Sequence, residues 1–157
     1  MTSTTDQMDA ERQQAHRVVE ALRYVVLATA DADGRPWASP VYFAADGLTT
    51  FWWVSSPAST HSRNIAARAD VALTVFDSTQ AVGTGLGVYA RAIARRVDDA
   101  DVSRQVQTYS DRSVTDGAGA WDHRRLADSG LALYRADVTE LSLLPGRGID
   151  RRTALQP

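Results

Sequence analysis

The chain has 157 residues, 44% of them hydrophobic and 23% charged, which is the composition of one folded domain and excludes a wholly disordered chain. It has no Cys, which excludes disulfides, thiol catalysis and cysteinyl metal sites. All 17 basic residues are Arg and there are 19 acidic residues, so the net charge of −2 argues against nucleic acid as the main partner. The absence of Lys excludes Schiff-base chemistry and the phosphate-loop ATPase mechanism.

The chain divides by composition into a short start, one domain and a tail. Residues 1–8 are rich in Ser, Thr and Asp, and we expect them to be flexible. Residues 9–146 carry the periodic apolar patterns of a single domain, and residues 147–157 form an Arg-containing C-terminal tail. Apolar stretches are too short to cross a bilayer and no signal pattern is present, so we expect a cytoplasmic protein with no membrane partner.

The first predicted helix spans about residues 9–23, with Asp9 as a candidate N-cap. Apolar residues recur there at spacings of three and four, which is typical of a helix with one buried face. These residues are Ala15, Val18, Val19 and Leu22.

Three strands are predicted next, over residues 24–30, 37–44 and 48–55, as a meander. Asp33 and Gly34 form a strong hairpin signal between the first two strands. Pro40 predicts an edge strand or a bulge, because proline has no N–H for a central strand.

The second half of the chain alternates short helices with strands. Ser59 is the predicted N-cap of a helix over Thr60–Ala69. The remaining predictions are strands at 71–77 and 88–97, a helix from Asp98 or Asp99, a polar loop at 111–122, a helical turn at 123–128, and strands at 131–135 and 138–144. Short turns between neighbouring strands favour an α+β fold, with a mostly antiparallel, barrel-like sheet and small flanking helices.

The most informative segment runs from Trp53 to Asn64, where a strand ends in hydroxyl residues and a helix begins. Free N–H groups and the dipole at a helix start favour an anion, and the Arg63 guanidinium adds a charged fork. Thr60 and His61 lie in the same first turn. The pattern is therefore compatible with a phosphate site without Lys, but the spacing alone favours Ser59 as a plain N-cap and Arg63 as a solvated charge.

Ser39, Pro40 and Val41 form a second candidate, since an interrupted strand leaves backbone groups free for a ligand. Aromatic residues at Trp37 and 51–53 lie nearby in the predicted meander, and such residues are usually core or dimer interface. Trp52 and Trp53 must face opposite sides of their strand, so we expect one of them outside the barrel, against a partner subunit.

Other residue patterns give weaker indications of a functional site. Arg91 and Arg95 share one face of the long strand, where they could meet an anion or be solvated. His16, His61 and His123 lack metal-ligand spacing, and no GxSxG elbow is present, so we expect no metal site and no hydrolase triad.

These segments resemble the pyridoxamine 5'-phosphate oxidase-like family of flavin-binding split barrels over residues 12–144. The resemblance rests on the order and spacing of several stretches. They are the leading helix, Gly34–Phe43, Phe51–Ser56, His61–Ile65, Asp70–Asp77 and Val88–Val97.

The resemblance implies an oxidoreductase with a split β-barrel, forming a homodimer with FMN at the subunit interface and acting on a small-molecule substrate. It implies that residues 38–43 and 54–56 line the flavin ring and that residues 59–64 hold its phosphate, with no protein group acting as catalyst. The expected cofactor-binding residues are Ser39, Pro40, Val41, Val54, Ser55, Ser56, Ser59, Thr60, His61, Arg63 and Asn64.

The chain also departs from the family's oxidases. Ser39 stands where they usually have a basic residue, and Ala44 and His61 stand where they usually have Lys. Their C-terminal Arg/His motif is replaced by Arg147, Arg151 and Arg152. These differences argue against pyridoxamine phosphate as the substrate, and a neutral imidazole at position 61 would bind phosphate more weakly than Lys. The alternatives are a deazaflavin-dependent reductase and a non-catalytic carrier of flavin, haem or another ligand.

Overall fold

The computed structural model describes residues 4–145 and 152–157. Arg147 and Arg151 lie outside the described residues. The helices are α1 (Thr4–Ala21), α2 (Thr60–Ala67), α3 (Asp99–Thr115) and α4 (His123–Ser129). The strands are β1 (Tyr24–Ala30), β2 (Pro36–Tyr42), β3 (Ala44–Asp46), β4 (Thr50–Ser55), β5 (Asp70–Phe76), β6 (Leu86–Arg96), β7 (Ala132–Pro145) and β8 (Thr153–Leu155).

The strands form one antiparallel sheet in the order β2-β1-β5-β6-β7-β4-β3, and β8 pairs with the far side of β7. The two ends of this order, β2 and β3, are consecutive in the chain and are separated by Phe43 alone. The sheet must therefore curl until its two edges meet, which makes a half-barrel. The predicted α+β class with a mostly antiparallel, barrel-like sheet is confirmed.

Apolar side chains pack on both sides of the curled sheet. The inner cluster is built around Trp53, Phe43 and Phe51, with Val19 of α1 and Ile65 of α2 packed into it. The outer cluster lies under α3 and α4, and contains Trp52 from β4. Both faces of β4 are therefore buried within one chain.

The prediction that one Trp would face a partner subunit is wrong. Trp52 and Trp53 do point to opposite faces, but Trp52 is only 7% exposed because α3 covers it with Val102 and Val106. A helix that follows the strand by more than forty positions supplies this cover, and strand alternation alone gives no sign of it.

The predicted meander is also wrong in its pairing. β1 and β2 form the expected hairpin, with Gly34 at a φ of 86° in its turn, but β4 pairs with β3 and β7 instead of β2. Pro40 does lie on an edge strand, as predicted.

Several boundaries differ from the predictions. Helix α1 begins at Thr4, not after Asp9, and α3 runs through the segment expected to be a loop as far as Thr115. The last two predicted strands are one continuous strand, β7, and the tail returns as β8. None of the helices in the described ranges is long and apolar enough to cross a membrane.

Candidate functional site

The end of β4 and the start of α2 form a tight corner whose shape comes from serine side chains. Ser59 is the N-cap of α2, as predicted, and its Oγ accepts from the Ser62 N–H at 3.3 Å. The Ser56 carbonyl accepts from the Ser59 N–H at 3.0 Å, and Ser56 Oγ accepts from the Ala58 N–H at 3.2 Å. These bonds fix the turn that leads into α2, in whose first turn Thr60 and His61 are partly exposed.

The N–H groups of Thr60 and His61 find no protein acceptor within the part of the chain that the structure describes. They are the first two residues of α2, where the preceding turn supplies no carbonyl in helical position. Together with the helix dipole they favour an anion at this corner.

His61 projects from this turn onto the end of β4. Its Nε2 lies 2.9 Å from Ser55 Oγ, and the imidazole is half-buried. Desolvation by this burial lowers the pKa of His61 below its ordinary value of 6.5. The ring is therefore mostly neutral at pH 7 and offers a hydrogen bond without a positive charge. Val54, the residue before Ser55, is partly exposed beside the same corner.

The edge strand β2 carries the second candidate group. Ser39 Oγ accepts from the Trp37 indole Nε1 at 2.9 Å, and the Trp37 side chain is 50% exposed. Val41 is buried in the inner cluster, while Pro40 is exposed and pairs with Val26 of β1. Because β2 is an edge, the outward backbone groups of this segment have no neighbouring strand.

Two of the predicted residues have other contacts. Asn64 is buried, and its amide donates to Thr29 Oγ1 at 3.0 Å, which joins α2 to β1. Thr29 Oγ1 in turn donates to the Trp37 carbonyl at 3.4 Å. Asn64 therefore holds α2 against the β1–β2 hairpin and does not project from the corner.

Arg63 folds back along α2, and its guanidinium donates to the Ala58 carbonyl. This contact keeps its charge beside the turn that precedes the helix, on a different side from His61. The structure thus gathers Ser55, Ser56, Ser59, Thr60 and His61 at one corner, and leaves Ser39–Val41 on the neighbouring edge strand.

An ionic and aromatic cluster at the other end of β2 was missed by the sequence analysis. Asp116 accepts from the Tyr42 hydroxyl at 3.0 Å and from Arg112 Nε at 2.8 Å, and Arg23 Nε lies 3.3 Å from its other oxygen. The hydrogen bond from Arg112 and the hydroxyl of Tyr42 lower the pKa of Asp116. Burial and the Asp116 carboxylate raise the pKa of Tyr42 to about 12. The polar residues of this helix end gave no signal because they were read as a loop.

Within the described ranges, no three His, Asp or Glu side chains come close enough together to hold a metal ion.

The curled sheet and its serine-rich corner define a split-barrel protein of the α+β class. The chain belongs to the pyridoxamine 5'-phosphate oxidase family, whose model matches residues 12–144. Among proteins with curated descriptions, none matches the sequence.

Solved structures share the fold at low sequence identity. A general stress protein 26-related protein of Clostridium acetobutylicum, described as of the pyridoxinephosphate oxidase family, has a TM-score of 0.68 at 13% identity, over 94% of this chain and 95% of that one. HutZ, the haem storage protein of Vibrio cholerae, has a TM-score of 0.62 at 21% identity, over 96% of this chain and 100% of that one. An FAD-binding protein of Mesorhizobium loti has a TM-score of 0.63 at 19% identity, over 83% of this chain and 91% of that one.

Proposed function

We propose that this protein is a flavin-binding oxidoreductase that transfers hydride or electrons to a small-molecule substrate, with FMN as its cofactor. A deazaflavin coenzyme is the alternative cofactor. The observation that carries the proposal is the corner itself, where the unpartnered N–H groups of Thr60 and His61 lie beside the Ser55–His61 pair. Family membership supports it, and so does the similarity to a protein described as FAD-binding.

The donor set at the corner fits a phosphate. Two backbone N–H groups and the Ser55 hydroxyl are donors at the corner, whereas the Arg63 guanidinium bonds to the Ala58 carbonyl on a different side of the helix. With His61 neutral, the backbone groups and the helix dipole carry more of the binding than they do where a Lys is present.

The residues of β2 fit the ring of a flavin. When bound, a flavin supplies the redox chemistry, and the protein positions it and excludes competing reactions. The outward backbone groups of β2 belong to Ala38 and to the Pro40 carbonyl, because the register turns the backbone of Ser39 and Val41 toward β1. These edge groups would orient the ring through hydrogen bonds, and the exposed Trp37 indole would exclude water from one side. No protein nucleophile is required by this proposal.

We also propose that the protein is a homodimer with its cofactor sites at the subunit interface. The outward face of β1, β5 and β6 supports this, because large apolar side chains lie exposed there beside small ones. Tyr24 is 61% exposed, Phe76 47% and Ile93 43%, around Ala28 and Ala72. An exposed apolar sheet face of this kind is typical of a protein interface.

The absorbance spectrum of the purified protein, followed by titration with FMN and with a deazaflavin coenzyme, tests the cofactor. Flavin bands or tight FMN binding support the proposal. Binding of the deazaflavin alone supports the alternative. A haem Soret band, or binding of neither cofactor by a folded protein, contradicts the proposal and favours a carrier.

Thr60→Pro tests the phosphate site directly. Proline removes one N–H donor, yet it suits the first position of a helix, and Ser59 before it already has an extended backbone at φ −66° and ψ 154°. We expect the Kd for FMN to rise about ten- to hundredfold at unchanged melting temperature, as for loss of a charge-assisted hydrogen bond. His123→Pro, at the first position of α4, is the matched control and should leave the Kd unchanged.

A further inference from the structure

A second cleft lies between α2 and the C-terminal end of β6, on a different side of α2 from His61. Its volume is about 400 Å³, within the range of small-molecule sites. Helix α2 contributes Ser62, Arg63 and Ala66, which share one side of the helix because they are spaced by three and four residues. The proposed cofactor corner uses none of the cleft's β6 residues.

Positive charge is concentrated at the mouth of this cleft. Arg63, Arg95 and Arg96 all line it. Arg96 lies 3.4 Å from Asp99, whereas Arg95 has no ion pair within the described ranges. The cross-strand neighbour of Arg95 on β7 is another cation, Arg135, whose own charge is balanced by Asp137. Because Asp137 already neutralises Arg135, Arg95 is left without a counter-charge within the described ranges.

The floor of the cleft is apolar and rigid. It is formed by Ile65, Ala94 and Tyr134, and Tyr134 stacks almost parallel on Trp53 at 5.9 Å between ring centroids. Two arginines over an apolar floor match a ligand with an acid group on an apolar body. One guanidinium can donate two parallel hydrogen bonds to a carboxylate or a phosphate.

A smaller cavity of about 250 Å³ continues from the cleft, and the two share Pro57 and Arg96 as lining residues. Its floor is buried and apolar, with Val97 and Leu133 from the sheet side and Leu126 from α4. Because the two cavities adjoin each other, they favour an elongated ligand over a compact one.

We propose that this cleft binds an elongated apolar molecule that ends in an oxyanion, either a carboxylate or a phosphate. The acid group lies between Arg95 and Arg63, and the apolar chain passes Pro57 into the smaller cavity.

Calorimetric titration with three chain-matched probes, below their micellar concentrations, tests the charge requirement. The probes are dodecanoate, dodecyl phosphate and dodecan-1-ol. We expect one or both of the anions to bind at least about ten times more tightly than the alcohol, and their ratio assigns the acid group as carboxylate or phosphate. Equal binding of the alcohol, or no binding of either anion, overturns the proposal.

Two matched pairs of variants locate the site. Arg95→Gln should raise the Kd of the preferred anion about tenfold or more, while Arg91→Gln, on the same face of β6 but paired with Glu140, should not change it. Ala66→Trp should abolish binding by filling the cleft, and Ala67→Trp, the next exposed helix position, should not. Equal effects within either pair overturn the proposal.

The same titrations in the presence of saturating FMN separate this proposal from that of the cofactor site. Anion binding should be unchanged when FMN is bound, and it should persist in a protein that fails to bind FMN. Displacement of FMN by the anion would overturn the second site, because both ligands would then share one location.

Discussion

At the scale of single residues, the protonation of His61 makes the corner sensitive to pH. Its imidazole is half-buried and its pKa is lowered by desolvation, so the folded state binds this proton less readily than the unfolded chain does. The stability contributed by the neutral imidazole is present above pH 6.5 and is lost as pH falls below it. We expect the free energy of unfolding, from urea titrations, to decrease from pH 7 to pH 5, and His61→Gln to lessen this decrease. The exposed His123, changed to Gln, should leave the decrease in place.

Protonation of His61 lowers the stability of the fold but should strengthen binding of the proposed cofactor. A protonated imidazole brings positive charge to the first turn of α2, whereas the FMN phosphate loses negative charge over the same range because its second pKa is about 6. We therefore expect the affinity for FMN, relative to that of His61→Gln, to rise as pH falls below 6.5 while the fold becomes less stable. Fluorescence titration of FMN across this range measures the trend. If the affinity of His61→Gln follows pH as steeply as the parent protein's, the imidazole is not part of the phosphate site.

Asp116 is at the centre of the ionic and aromatic cluster at the end of β2. It holds the Tyr42 hydroxyl and the Arg112 guanidinium, and Arg112 also donates to the Glu20 and Leu22 carbonyls, both at 3.0 Å, at the end of α1. Asp116→Ala leaves a largely buried hydroxyl and guanidinium without their acceptor, which should cost about 1.5–3 kcal/mol in urea unfolding.

Asp111→Ala, an exposed carboxylate on the same helix, is the comparison for Asp116. It should change the free energy of unfolding by about 0.5 kcal/mol or less. Equal losses in the two variants would mean that the Asp116 contacts add nothing beyond an ordinary surface charge.

At the scale of elements, the tail contributes an unexpected strand to the sheet. Strand β8 pairs with β7 and places Leu155 in the inner cluster at 7% exposure, and the Arg12 guanidinium donates to the Gln156 carbonyl. We expect Leu155→Ala to reduce the free energy of unfolding by about 2 kcal/mol, near the lower end for a buried leucine because the strand is terminal. Gln156→Ala keeps the backbone contacts and should change the free energy of unfolding little. If Leu155→Ala costs no more than Gln156→Ala, Leu155 does not contribute to the core.

Elements whose signals are local could be predicted from the sequence. The Ser59 cap starts α2 where expected, Asp122 accepts from the Arg125 N–H to start α4, and the Asp33-Gly34 turn gives the β1–β2 hairpin. Each depends on hydrogen bonds or backbone angles within a few residues.

Elements stabilised by distant contacts could not be predicted. The end of α3 looks like a loop in the sequence because its stabilising contacts are to α1 and to Tyr42. Strand β7 was read as two strands, but its central residues continue the pairing with β6, past a register shift between Arg91 and Ala92. A bulge accommodates the extra residue there within one continuous strand.

At the scale of the whole molecule, curling of the sheet decides which predicted site residues meet. Ser55 and His61 were predicted together and lie 2.9 Å apart, since a short turn joins their elements. The family resemblance assigned Asn64 to the same corner, but α2 rests on β1 and turns this side chain inward to Thr29. Sequence spacing gives the turn, whereas the packing of α2 on the sheet gives the direction of each side chain.

The exposed face of β1 and β5 allows a direct test of the proposed dimer. Ala28 and Ala72 lie opposite each other in the register, at the middle of that face, and Ala38 of β2 continues the row. Three small side chains in a row leave a shallow surface onto which the same row of a second copy can pack closely, and the interface becomes self-complementary about a two-fold axis.

An Arg at the middle of such an interface has to be desolvated without a partner, although on a free surface it stays hydrated. Ala28→Arg should therefore give a monomer with the mass of one 17.1 kDa chain in sedimentation equilibrium, while its circular dichroism stays that of the parent. Ala67→Arg, exposed on α2, should remain a dimer. If FMN binds across the interface, the Ala28→Arg monomer should also lose FMN affinity, whereas a monomer that binds FMN as tightly as the parent would place the whole cofactor site within one chain.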